Sequence, residues 1–192
     1  TLGGEILRAA KQAPGVRALR LHVGIVDSFP KLMSHEILKP VFEHDPPVRL
    51  TCHEGKAPDL VSQLSTHRID LVLADEPAPG GIAGKVFNHQ LGVSDVSFCA
   101  MPILARKIKG KFPRCLDGLP VILPTQNCAM RRDLESWFRS IGVEPNVVAE
   151  MEDAALAKIA ATGGLGVIAV PTVVLSEAVE RYGFVSIGKT RE

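Results

Sequence analysis

Hydrophobic positions along the chain alternate between a two-residue repeat and a helical repeat. Residues 19–26 alternate and then become wholly apolar, which predicts a half-buried strand. Apolar side chains then recur every three or four positions over residues 32–42, which predicts a helix of about 12 residues. Ser28 is its predicted N-cap, and Pro30 falls in its first turn. Residues 45–47, Asp-Pro-Pro, end this helix.

The same strand and helix patterns continue along the rest of the chain. Strands are predicted at residues 48–52, 69–74, 96–101, 121–123, 147–151, 167–170 and 184–187, with weaker strands near 86–87 and 91–93. Helices are predicted around residues 60–64, 134–141, 154–160 and after 171–172, with Gly142 ending the second and Asp153 capping the third. This alternation predicts an α/β protein with mostly parallel sheets, arranged as two Rossmann-like lobes.

Composition and charge exclude several classes of protein. The 192 residues are 46% hydrophobic with a net charge of +1, which excludes a disordered chain. No apolar run approaches the ~18 residues of a membrane span. The near-neutral charge argues against a nucleic-acid-binding surface within these residues. The four cysteines show no CxxC or zinc spacing, so we predict reduced thiols and a cytoplasmic protein.

The motifs of common enzymes are incomplete. His35-Glu36 lacks the second histidine of HExxH, and the run 92–96 lacks the second glycine of GxSxG. The glycine-rich run 163–166 precedes its predicted strand, whereas a nucleotide-binding loop follows one. The sequence therefore predicts no catalytic residues. All six histidines precede residue 90, which leaves a pH-responsive first lobe as an open alternative.

Residues that follow the predicted strands form the candidate site, because ligands of α/β folds bind beyond the carboxyl ends of strands. This rule selects Asp27, Ser28, Phe29, Glu54, Gly55, Lys56, Asp75, Glu76, Thr125, Gln126, Asn127, Glu152, Asp153, Pro171 and Thr172. The carboxylates among them favour a cation, since hard cations take oxygen ligands. Alternatively, Asp27 and Asp153 only cap helices and the other carboxylates face water. Lys56 and the helix N-termini leave an organic anion as the other candidate ligand.

Several runs of the sequence resemble the effector-binding domain of LysR-type transcriptional regulators. These runs are Phe42, Pro46–Leu50, Glu54-Gly55, Leu60, Leu64, Arg68–Leu73 and Gly163–Pro171. Further runs resemble the branch that activates sodium/proton antiporter genes in response to sodium: Val23–Asp27, Gly92–Phe98, Trp137-Phe138, Asp153–Leu156 and Ala169–Thr172. The resemblance implies a two-lobed, periplasmic-binding-protein-like (type 2) fold with an effector cleft between its lobes.

The resemblance also implies a domain layout. Residues 1–16 would end a linker helix, residues 17–96 with 172–192 would form regulatory lobe I, and residues 97–171 would form lobe II. A winged helix-turn-helix domain that binds promoter DNA would precede this chain. The family further implies a homodimer or tetramer, RNA polymerase as a partner, and no membrane association.

Together these observations predict a non-enzymatic domain for effector sensing and dimerisation in a LysR-type regulator. The resemblance implies effector contacts at the post-strand residues and no cofactor, with Glu54 and Asp75 as the candidate ligands of a sodium ion acting as effector. Two alternatives stay open at this point. One is the solute-binding component of a transporter with the same two-lobed fold, and the other is a small α/β enzyme.

Overall fold

The computed structural model describes residues 19–78 and 86–191, so the predicted end of a linker helix at 1–16 lies outside the described residues. The chain divides into two compact units. Residues 34–74 belong to the first unit together with the first strand, and residues 88–191 belong to the second. The short segments 27–33 and 75–77 also belong to the second unit. No helix among the described residues is long and apolar enough to span a membrane.

The first unit is built on a parallel three-stranded sheet. Its elements are β1 (Leu19–Val26), α1 (Lys31–Phe42, which belongs to this unit from Ser34 onward), β2 (Val48–Gly55), α2 (Ala57–Ser65) and β3 (Leu71–Leu73). β1 lies between β2 and β3 and is parallel to both, as the sequence predicts.

Gly24 allows the sheet of the first unit to pack closely against the residues around α2. A Cβ atom at this position would lie 2.8 Å from Cδ1 of Ile69 and 3.1 Å from Cδ2 of Leu60. Both of these side chains are buried in the core. The missing Cβ at the centre of β1 therefore makes room for them, which is a common reason for glycine inside a strand.

The second unit is built on a five-stranded sheet of order β6-β5-β7-β4-β8. Its strands are β4 (Val96–Ala100), β5 (Pro120–Pro124), β6 (Asn146–Met151), β7 (Val167–Pro171) and β8 (Val185–Lys189). Its helices are α3 (Pro102–Ala105), α4 (Ala129–Ile141), α5 (Ala154–Thr162) and α6 (Leu175–Tyr182), with 3-10 turns at Arg114–Leu116 and Thr172–Val174. β5 is parallel to β6 and β7, whereas β4 is antiparallel to β7 and β8.

Local sequence signals set the ends of the helices in the second unit. Gly142 ends α4 in the left-handed conformation, with φ of 61°, which glycine adopts at little steric cost. Asp153 caps α5, because its Oδ1 atom accepts a hydrogen bond of 2.7 Å from the backbone N–H of Leu156. Both of these helix ends are where the sequence predicts them.

Several predicted boundaries are wrong. α1 begins at Lys31, so Ser28 lies too far upstream to be its N-cap. β2 continues to Gly55, three residues beyond its predicted end. β3 is shorter than predicted and begins at Leu71, directly after Asp70, whose side chain accepts a hydrogen bond of 2.8 Å from the His22 N–H. Residues 91–93 form no strand, and the side chains of Leu91 and Val93 are exposed.

The predicted assignment of the C-terminal segment is also wrong. Residues 172–192 were expected in lobe I, but β8 pairs with β4 over Ser97–Ala100. The described part of this segment therefore belongs to the second unit. That assignment came from the family resemblance, and the strand pattern at residues 184–187 could not test it, because periodicity shows that a strand exists without identifying its partner.

Candidate functional site

The second unit brings three of the predicted post-strand segments to one edge of its sheet. β5, β6 and β7 are parallel, so their carboxyl ends meet at the same edge. We call the side chains that follow them the polar edge: Thr125, Gln126, Asn127, Glu152, Asp153 and Thr172. Pro171 is the last residue of β7 and directly precedes Thr172.

Hydrogen bonds join the loops that follow β5 and β6. The Thr125 hydroxyl donates to Oδ1 of Asn127. The Asn127 side-chain amide donates in turn to Oε1 of Glu152, at 2.9 Å. This chain orients the Asn127 amide and leaves Gln126 exposed between the two bonded residues. A bound ligand would therefore meet oxygen atoms whose positions are already fixed by the protein.

Thr172 is held in place by β4. Its hydroxyl lies 2.8 Å from the hydroxyl of Ser97, which is buried. Its backbone N–H donates to the carbonyl oxygen of Asp95 at 2.8 Å. The polar edge thus has a fixed position at β7 as well as at β5 and β6.

The N-terminus of α4 adjoins the polar edge. Cys128 occupies the N-cap position, between Asn127 and the first helical residue. Burial raises the pKa of the Cys128 thiol, and the negative charge of Asp75 adds to this effect. The backbone amides of Arg131 and Met130 and the charge of Arg132 act in the opposite direction without reversing it. Cys128 is therefore a neutral thiol near pH 7, and Asp75 lies within electrostatic reach of it.

An ion pair connects the segment after β3 to α4. Nη2 of Arg132 lies 2.6 Å from Oε2 of Glu76, and both side chains are about half exposed. Exposed pairs of this kind contribute about 0–1 kcal/mol to stability. The pair therefore orients Glu76 more than it stabilises the fold.

Arg131 binds the residues next to the polar edge. Its guanidinium donates to the carbonyl oxygen of Pro124, to Oε1 of Glu150 and to Oε1 of Glu135, at 2.8, 2.8 and 2.7 Å. Burial lowers the pKa of Arg131, but its hydrogen bonds and charge contacts with Glu150 and Glu135 outweigh burial and raise it. This single side chain ties the end of β5 to β6 and α4.

The remaining predicted residues are divided between the two units. Glu54 and Gly55 are the last residues of β2, and Lys56 occupies the N-cap position of α2, all in the first unit. Asp27, Ser28 and Phe29 follow β1, and Asp75 follows β3. Those four belong to the second unit.

The positions of the acidic, histidine and cysteine side chains can be compared with the predicted cation site. Within residues 19–78 and 86–191, no three histidine, cysteine, aspartate or glutamate side chains come together as a metal-binding group. Glu54 and Asp75 belong to different units. A sodium ion held by these two carboxylates therefore stays a prediction.

Sequence reasoning missed the contacts that organise this region. The spacing of Arg131 and Glu135 is that of an i,i+4 ion pair and could have been found. The link from Asn127 to Glu152 and that from Arg132 to Glu76 join residues 25 and 56 positions apart, and no local pattern signals them.

Comparison with known proteins identifies the family of this chain. The sequence profile of the LysR substrate binding domain matches residues 14–187. The chain belongs to this family. It is also 30% identical over 141 residues to the transcriptional activator protein NhaR of Escherichia coli, which covers 73% of the chain and 46% of NhaR. The chain thus spans about half the length of the curated relatives that it matches.

Solved structures agree with the fold. The reduced regulatory domain of OxyR2 from Vibrio vulnificus is similar with a TM-score of 0.71 and 14% identity, over 92% of the chain and 84% of that domain. The regulatory domain of CcmR from Synechocystis, solved with 2-PG, has a TM-score of 0.66 and 17% identity, over 88% and 79%. The predicted α/β, periplasmic-binding-protein-like fold class is thereby confirmed. The family is one of regulatory domains and not of enzymes, as the sequence predicts.

Proposed function

We propose that this chain is the effector-sensing and dimerisation domain of a LysR-type transcriptional regulator that activates sodium/proton antiporter genes in response to sodium. The 30% identity to NhaR, whose name describes a transcriptional activator, supports an activating role. The sodium response rests on the runs that resemble the sodium-responsive branch of the family, among them Val23–Asp27 and Gly92–Phe98. The family match favours a regulator over the solute-binding component of a transporter.

The chemistry of the post-strand residues supports a cation as the effector. Carboxylates of Asp75 and Glu152 and the side-chain oxygens of Thr125 and Asn127 follow strands of this fold. Sodium, like other hard cations, prefers such oxygen ligands. An organic anion is the competing ligand, because Lys56 and the N-terminus of α4 offer positive charge and N–H donors.

In the proposed mechanism, effector binding changes the populations of two conformations of the domain. An effector that binds one arrangement of the two lobes more tightly than another shifts the equilibrium toward it. In the full regulator this shift would change the geometry of a homodimer or tetramer, and with it the spacing of separate DNA-binding domains on the promoter. The regulator would act in the cytoplasm with RNA polymerase as a partner.

Isothermal titration calorimetry tests the proposal with the alkali cations themselves. Sodium, lithium and potassium chlorides are titrated into the chain at constant ionic strength, with choline chloride as the balancing salt. We expect a saturable heat with sodium that potassium does not reproduce, because a protein site selects cations by size and ligand number. Equal heats from sodium and potassium would contradict a sodium effector.

Charge-neutral variants locate the binding site. We expect Glu54→Gln and Asp75→Asn each to weaken sodium binding at least tenfold, because each removes a ligand charge. Asp133→Asn is the matched control, since this exposed carboxylate lies on α4 outside the predicted site. Loss of sodium binding in the control alone, or in none of the three variants, would refute the assigned ligands.

A further inference from the structure

The second unit contains an aromatic cavity that shares no residue with the predicted effector set. Its volume is about 150 Å³, and its walls are Phe112, Pro113, Trp137, Ile141, Lys189 and Thr190. A preformed apolar cavity of roughly this volume holds a ligand the size of benzene. This cavity is partly open to solvent and has polar as well as apolar walls, and its volume leaves room for a single six-membered ring.

The aromatic wall of this cavity is fixed by packing. The rings of Phe112 and Trp137 stack at a centroid distance of 5.9 Å, and Trp137 also stacks on the buried Phe98 at 5.6 Å. Gly188 packs closely against the Phe112 ring, since a Cβ there would lie 2.4 Å from Cγ of Phe112. Aromatic pairs gain attraction beyond their buried area, so a planar ring is favoured over an aliphatic group.

The polar residues of the cavity favour a negative charge on the ligand. Lys189, at the end of β8, is half-buried and forms no ion pair with any residue of 19–78 and 86–191. Thr190 is held by two bonds to Val96: its N–H donates to the Val96 carbonyl at 2.9 Å, and its Oγ1 accepts from the Val96 N–H at 3.2 Å. The Thr190 hydroxyl proton can then be donated to a ligand. An ammonium and a hydroxyl among the walls of an aromatic cavity match a carboxylate.

We propose that this cavity binds a small aromatic carboxylate, with its ring against Trp137 and Phe112 and its carboxylate on Lys189 and Thr190. Such a site would give the domain a second ligand, separate from the effector proposed above. The proposal does not depend on the identity of that effector.

Trp137 provides a direct readout, because it is the only tryptophan of the chain. Benzoate is titrated at constant ionic strength, and the emission of Trp137 is recorded. We expect a saturable change with a dissociation constant on the order of 1 mM, which is ordinary for a ligand of so few atoms. A change that is only linear in benzoate concentration would overturn the proposal.

Two comparisons separate the cavity from nonspecific binding. Lys189→Met keeps the aliphatic stem and removes the charge, so benzoate affinity should fall about three- to tenfold. Lys39→Met is the matched control, because it removes one exposed positive charge in the first unit. Benzamide and cyclohexanecarboxylate should each bind more weakly than benzoate. Equal benzoate affinity in the two variants, or equal affinity for benzoate and benzamide, would refute the proposed site.

Discussion

Arg131 offers the sharpest test of how the polar edge is held together. Arg131→Met retains the buried stem and removes all three hydrogen bonds of the guanidinium. Loss of the donor to the Pro124 carbonyl costs about 1 kcal/mol. Glu135 and Glu150 are 36% and 44% exposed, so water can replace part of their lost contacts and each costs about 0.5–1 kcal/mol.

We therefore expect Arg131→Met to lower the free energy of unfolding by about 2–3 kcal/mol. Urea unfolding followed by Trp137 fluorescence measures this in the second unit, where Trp137 lies. For a slope of about 2 kcal/mol/M, the midpoint should fall by roughly 1 M. Arg139→Met is the matched control, since Arg139 is an exposed arginine on the same helix. A loss in Arg131→Met that is within 0.5 kcal/mol, or about experimental error, of this control would refute the supporting role.

Three further predictions concern the second unit. Asp153→Ala should cost about 1 kcal/mol in urea unfolding, because the N-cap bond to Leu156 is lost, and Asp153→Asn should recover most of it. Gly166→Ala should cost about 1–3 kcal/mol and lower the thermal midpoint, since its Cβ would lie 2.8 Å from the Pro120 carbonyl oxygen; an unchanged midpoint would contradict this contact. Burial raises the pKa of the Cys99 thiol from 9.0 to about 12, although the charge of Lys158 acts in the opposite direction. Between pH 9 and 12 the unfolded state therefore loses this proton and the folded state keeps it, so the free energy of unfolding should fall as pH rises. Cys99→Ala should flatten that decline in pH-dependent unfolding, and an unaltered slope would refute the assignment.

Periodicity and capping chemistry are strong predictors in this chain. The amphipathic pattern of α4, the left-handed glycine after it and the Asp153 cap of α5 are local signals, and the structure agrees with all three. The parallel order of β5, β6 and β7 also follows from the strand–helix alternation. From these features the sequence alone predicts that the residues of the polar edge follow neighbouring parallel strands.

What the sequence could not predict depends on contacts between distant residues. β8 pairs with β4 through backbone hydrogen bonds, which any strand can form. The hydrophobic pattern of β8 therefore does not identify the strand with which it pairs. Leu91 and Val93 alternate as a strand would, yet their side chains are exposed, and none of the strands within 19–78 and 86–191 pairs with them. The links from Asn127 to Glu152 and from Arg132 to Glu76 likewise require the folded arrangement.

The proposed sensing function requires that sodium binds at the predicted post-strand residues. Backbone amide NMR spectra of the isotope-labelled chain, recorded while sodium replaces potassium at constant ionic strength, test it most directly. We expect saturable shifts confined to residues near Glu54–Lys56, Asp75 and Thr125–Asn127. Identical spectra in the two salts, or saturable shifts at other residues only, would contradict it.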